Sequence, residues 1–155
     1  MVTENSTKQI RRERIIRYAP LILWTAVIFI NSSTVGASNN TSRIIRPLLE
    51  WLFPADSPAT LDLYHGYIRK LAHFTEYGAL AFLASRFFWL SSKPILRKFW
   101  FIWAFLVTAL IASTDEYNQS FNVLRTSSPY DVLLDCAGGL TVISLAVLYK
   151  KIRRK

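Results

Sequence analysis

The chain is poor in the residues that usually cross-link or punctuate a fold. Its single cysteine, Cys136, cannot close a disulfide within the chain and offers no thiolate cluster to a metal. Glycine (5) and proline (6) are sparse among the 155 residues, which excludes a collagen-like chain. With 52% hydrophobic residues, the composition excludes a disordered chain as well. Charge is limited to 19% of the residues and is lopsided, 10 acids against 19 Lys and Arg, for a net +9. No internal repeat or low-complexity tract is present.

The sequence does contain long apolar blocks, with the charges gathered between them. Four blocks, Ile15 to Ser32, Leu71 to Leu90, Phe99 to Thr114 and Asp131 to Tyr149, approach the roughly 20 residues that a bilayer core requires of a helix. The expected fold class is therefore all-α, a polytopic membrane bundle of four transmembrane helices. It divides into a basic N-terminal segment (1–14), a single four-helix membrane domain (15–149) and a basic tail (150–155). The first block, with a basic leader before it and small residues at Gly36 to Ser38 after it, also resembles a secretory signal peptide. The length of the leader, and Trp24 and Asn31 within the run, argue against cleavage.

Orientation follows from Lys and Arg, which concentrate in short cytoplasmic loops. Fourteen of the nineteen fall before the first block (Lys8, Arg11, Arg12, Arg14, Arg17), between the second and third (Arg86, Lys93, Arg97, Lys98), or after the fourth (Lys150, Lys151, Arg153, Arg154, Lys155). Eight of the ten acids fall on the other side. Both termini are thus expected in the cytoplasm and the protein in the plasma membrane. The basic clusters read as topology anchors that also attract anionic lipid, not as a nucleic-acid surface, because no globular domain presents them.

Between the first two blocks, Ser33 to Lys70 is too polar to cross. Ser33 to Ser42 reads as an exposed loop, and Arg43 to Phe53 as a short interfacial helix anchored by Trp51. Pro54 and Pro58 break that element, and Thr60 is the expected N-cap of a helix running into the second block.

The chemistry lies at the outer ends of the last three helices. At 100° per residue, Lys70, His73, Glu76 and Tyr77 share one face of the second helix. Asp115, Glu116 and Gln119 end the third, and Asp131 and Asp135 sit four apart at the start of the fourth, where Gly138 allows close helix approach. Ionisable groups in a span normally turn inward and pair. These residues, with Arg125, are expected to form one outward-opening polar cluster of net −3 with the imidazole neutral, which calls for a proton, a cation or a cationic ligand group. Ordinary structural roles compete residue by residue. His73 could bond a helix carbonyl or Glu76, Asp131 could be an N-cap, and Asp115 and Glu116 could be solvated helix ends. Asp135, a full turn inside an apolar helix, is harder to explain that way. The runs Phe87, Phe88, Trp89 and Phe99, Trp100, Phe101, Trp103 read as lipid-facing belts.

The blocks from Arg69 to Tyr77, from Asp115 to Phe121, and from Arg125 through Asp131 to Gly138-Gly139 resemble the VanZ-like family of small bacterial membrane proteins. The likeness rests on a Lys-x-x-His-x-x-Glu-Tyr block, an Asp-Glu-x-x-Gln block, and an Arg and an Asp leading into a Gly-containing last helix. It is carried here by Lys70, His73, Glu76, Tyr77, Asp115, Glu116, Gln119, Arg125, Asp131 and Gly138, and extends over nearly the whole chain. One departure is Asn122-Val123-Leu124 before Arg125, where the family often has Pro-Gly. The family's namesake is associated with resistance to the glycopeptide teicoplanin, so the resemblance implies a cell-envelope setting more than a reaction.

Two readings of the cluster follow. As an enzyme acting on a lipid-linked or cell-wall-related ligand, it would use His73, Glu76, Asp115 and Glu116 for proton transfer. Lys70, Tyr77, Gln119, Arg125, Asp131 and Asp135 would then bind the ligand. As a non-catalytic scaffold or partner subunit, the same cluster would serve recognition or fold specificity. No cofactor follows from the sequence. A divalent metal on His73, Glu76 and an acid of the third helix is a variant that a lone His supports weakly. Proton-coupled transport fits poorly with a repeat-free chain whose cluster lies near one face.

Overall fold

The computed structural model describes residues 2–33, 38–121 and 128–153. Among them the chain is all-α: α1 (Val2–Ser32), α2 (Ser38–Leu52), α3 (Pro58–Trp89), α4 (Pro94–Lys98), α5 (Trp100–Ser120) and α6 (Pro129–Ile152). The α1 helix of the structure takes in the basic leader as well as the first apolar block. Helix α2 starts at Ser38, five residues before the expected interfacial helix, and continues through Pro47.

Two helix starts differ from expectation for one shared reason. The N-cap of α3 is Ser57, not Thr60, with the Ser57 hydroxyl accepting the Thr60 N–H at 3.2 Å. The N-cap of α6 is Ser128, not Asp131, its hydroxyl accepting from the Tyr130 N–H. In both, Ser is followed directly by Pro, whose fixed φ and missing N–H suit the first helical position. Pro58 therefore opens α3 instead of breaking it. Asp131 is left in the first turn of α6, where its charge complements the helix dipole.

Helix α3 is the axis of the molecule. At about 1.5 Å per residue it is about 48 Å long, well beyond a hydrocarbon core of roughly 30 Å. Its C-terminal two-thirds packs against α1, α5 and α6, and its first turns carry α2. Small residues make the packing close. Ala81, Ala84 and Ala104 surround Phe88, Trp100 and Ile143 towards one end, while Tyr77, Leu80, Ala112 and Ile28 form a second core further along. Helices α3 and α6 run parallel, so Phe74 and Gly78 meet Gly138 and Val142 in turn. Helices α1 and α5 run antiparallel to α3, as Arg17 with Phe87 and Trp24 with Glu76 show for α1, and Phe88 with Trp103 and Tyr77 with Asp115 for α5.

The end away from the acids is held by cations on backbone and rings. Arg17 Nε and Arg86 Nη1 donate to the Phe87 and Ile16 carbonyls, and Lys150 Nζ sits 3.8 Å from the Trp89 ring centroid. Large apolar side chains cover the outside, among them Ile22, Leu23, Leu106, Leu110, Leu145 and Leu148. Apolar surface of that extent is characteristic of contact with lipid or another protein. Two helical stretches, Ile15–Ser32 and Pro129–Ile152, are long and apolar enough to cross a membrane. In α3 and α5 the apolar runs are interrupted or followed by charge, at His73, Glu76 and Arg86, and at Asp115 and Glu116.

Candidate functional site

The polar residues of α3, α5 and α6 meet at the end of the bundle where α5 stops and α6 starts. Asp115 and Asp135 are each 1% exposed and stand on facing helices. One oxygen of Asp115, Oδ2, accepts from the Tyr77 hydroxyl at 3.0 Å and from Gln119 Nε2, one turn on, at 2.9 Å. Its other oxygen, Oδ1, has no hydrogen-bond partner, and the same holds for Oδ1 of Asp135. Asp135 Oδ1 lies 3.7 Å from His73 Nδ1. One nitrogen of His73 and one oxygen from each aspartate all lie within 4.8 Å of one another.

Above these buried aspartates a cleft of about 130 Å³ is lined by Gly66, Arg69, Lys70, His73, Glu116, Gln119, Asp131 and Leu134. Cations come from α3 and acids from α5 and α6, so the mouth has two walls of opposite sign. Glu116 is buried, and its Oε1 accepts the backbone N–H of Ser128 at 2.5 Å. That bond ties the end of α5 to the cap of α6 and fixes the wall. A charge-assisted bond to a backbone N–H is among the stronger hydrogen bonds available.

Of the residues expected to cluster, Lys70, His73, Glu116, Gln119 and Asp131 line the cleft, and Asp115 and Asp135 lie buried near His73. Tyr77 is fully buried, its hydroxyl engaged by Asp115. Glu76 leaves the group. Its Oε1 accepts from Asn31 Nδ2 at 3.0 Å, and its carbonyl accepts from Trp24 Nε1 at 3.0 Å, so it faces α1. The α3 stripe is thus divided between two neighbours, because a face about 120° wide spans more than one helix contact. In place of the weakly supported variant of His73, Glu76 and an α5 acid, the structure groups His73 and Asp115 with Asp135. Arg125 lies outside the described residues.

Four contributors were not singled out as site residues by their sequence positions. Ser128 carried a readable signal, Ser before Pro at a helix start. Asn31 and Trp24 stood out as polar or amphipathic residues in an apolar run, which often mark an inward face. Arg69 adds the second cation beside Lys70. Next to the cleft, buried His65 hydrogen-bonds the Thr41 hydroxyl at 3.2 Å, and Arg46 of α2 pairs with Asp62 of α3 at 3.0 Å. Burial and then the nearby Arg69 lower the His65 pKa, with Asp62 acting in the opposite sense. These contacts hold α2 against the first turns of α3.

The ordered blocks that build this site coincide with a known family pattern, and the model of the VanZ/LLP1 family matches residues 18–150. The chain belongs to that family. The matched span takes in every residue of the cleft and His73, Asp115 and Asp135, so this VanZ/LLP1 chain carries its polar site within the family's own domain. No curated protein and no solved structure matches it.

Proposed function

We propose that this VanZ/LLP1 protein crosses the plasma membrane four times with both termini in the cytoplasm. In this reading the cleft opens on the outer face and recognises, or modifies, a lipid-linked or cell-wall-related ligand. The observation that carries the reading is the two-signed cleft where α3 passes the end of α5 and the start of α6. Arg69 and Lys70 suit a phosphate or carboxylate, and Glu116 and Asp131 suit an amine on the same ligand. His73 at the floor can exchange a proton with the ligand.

Orientation is tested by cysteine labelling in intact cells. With Cys136 replaced by Ser, a membrane-impermeant maleimide should label Ala55→Cys, in the turn between α2 and α3, and should label Ser92→Cys, between α3 and α4, only after lysis. The reverse pattern would invert the topology and overturn the reading.

The function is tested in a teicoplanin-susceptible host. Expression should raise the inhibitory concentration severalfold. At equal protein levels, Lys70→Gln and Glu116→Gln should reduce the effect in steps if the cleft only recognises, and His73→Gln should abolish it if the cleft does chemistry. Glu76→Gln keeps an oxygen for Asn31 and should retain the wild-type effect. A full panel with unchanged resistance would leave the cluster a structural scaffold, the alternative reading.

A further inference from the structure

The two buried aspartates beneath the cleft raise a separate question of charge. Asp115 and Asp135 are each 1% exposed, and neither has a Lys or Arg nitrogen within 4.0 Å among the described residues. Each has one oxygen, Oδ1, that receives no hydrogen bond. Two carboxylates in such a place are expensive unless something positive lies between them. His73 Nδ1, 3.7 Å from Asp135 Oδ1, supplies a third donor atom, so three facing helices each contribute one. Converging side chains from separate helices are how bundle cores hold metal ions.

We propose that His73, Asp115 and Asp135 bind a divalent first-row transition ion. The imidazole argues against Mg²⁺ and Ca²⁺, which take oxygen ligands, and carboxylates with imidazole suit Zn²⁺ or Mn²⁺. Donor atoms around such an ion sit about 3 to 3.5 Å apart, given ligand bonds of about 2.0 to 2.1 Å. The trio, with His73 Nδ1 and Asp135 Oδ1 3.7 Å apart and all three donor atoms within 4.8 Å, is already close to that spacing. The Tyr77 and Gln119 bonds to the other oxygen of Asp115 would orient the ligand, as outer partners do in metal sites. His73 also lines the cleft, so the ion has a route in and lies at the floor of the pocket. This site stands whether or not the cleft binds an envelope ligand.

The test uses full-length protein in detergent, purified without a polyhistidine tag. Elemental analysis should find about one transition-metal equivalent per chain. After chelation, Zn²⁺ at about a hundred times its Kd should raise Tm by about 5 °C or more, while Mg²⁺ should not. Asp135→Asn removes a buried charge, so the metal-free variant should melt no lower than metal-free wild type, yet its Zn²⁺ shift should vanish. His73→Gln should also lose the shift, and Asp131→Asn, on the cleft wall, should keep it. The proposal is overturned by wild-type protein with no bound metal and no Zn²⁺ shift. A shift that survives both Asp135→Asn and His73→Gln would overturn it too, since that would mean the ion sits elsewhere.

Discussion

Gly138→Ala is expected to remove nearly all folded protein, although it adds one methyl group. A Cβ at Gly138 would run into the Phe74 carbonyl oxygen and lie 2.9 Å from its carbonyl carbon and 3.1 Å from its Cα. All three atoms are backbone in the middle of α3, so no rotamer change relieves the clash, and α6 must move away as a body. That separates the pair of helices with the most extensive contact in the protein and draws Asp135, one turn earlier, away from His73. The cost should exceed the roughly 1 to 3 kcal/mol of ordinary overpacking. The measurement is folded yield and Tm in detergent, and a variant that melts within a few degrees of wild type would contradict the α3–α6 packing. The neighbouring glycines give graded controls. At Gly139 the obstacle is a side-chain atom, Thr108 Cγ2 at 2.8 Å, so Gly139→Ala should be milder and Thr108→Ser, which lacks that methyl, should restore it. At Gly66 nothing lies within 4 Å, and Gly66→Ala should melt like wild type.

These glycines show what was legible in the sequence. Gly138 sits on the Asp131–Asp135 face, so its role in close approach could be read from spacing alone. Its partner, the Phe74 carbonyl, could not, because backbone atoms leave no pattern in side chains. The acids of α5 and α6 were readable as inward-facing, since charge within apolar helices has few other places to go. Helical spacing put Glu76 and His73 on one face. Their separation depends on where α1 lands, and that is set by Trp24 and Asn31 meeting Glu76 across fifty residues of chain. The helix starts were misplaced by three residues because Thr60 and Asp131 are themselves good capping types. Only the Ser-Pro pairs distinguish the actual caps, Ser57 and Ser128. His73, Asp115 and Asp135 were each legible as cluster residues, but that Asp135 and not Glu76 stands with His73 and Asp115 was not, because it requires the parallel register of α3 and α6.

Tyr77→Phe should separate structural from ligand-binding roles at the centre of the bundle. The ring is fully buried, and its hydroxyl donates to Asp115 Oδ2 at 3.0 Å. Removing the oxygen leaves the shape intact and takes away one of the two bonds on that carboxylate oxygen, the other being from Gln119. Side-chain bonds between membrane helices average about 0.6 kcal/mol, with about 1.7 at the top of the range, and a bond to a buried carboxylate belongs near the top. A loss of about 1 to 2 kcal/mol is therefore expected for Tyr77→Phe. Asp115→Asn should cost less, since the amide oxygen still accepts from Tyr77 or Gln119 and a buried charge is gone. In the double variant the Tyr77 penalty should shrink by about 1 kcal/mol, the coupling between the two groups. Additive effects would mean that the Tyr77 hydroxyl does not act through Asp115. If Tyr77→Phe keeps resistance in the susceptible host while it lowers Tm, the phenol acts beneath the cleft as a positioning residue for Asp115. Loss of resistance at normal stability would instead put the hydroxyl in contact with the ligand, contrary to its burial.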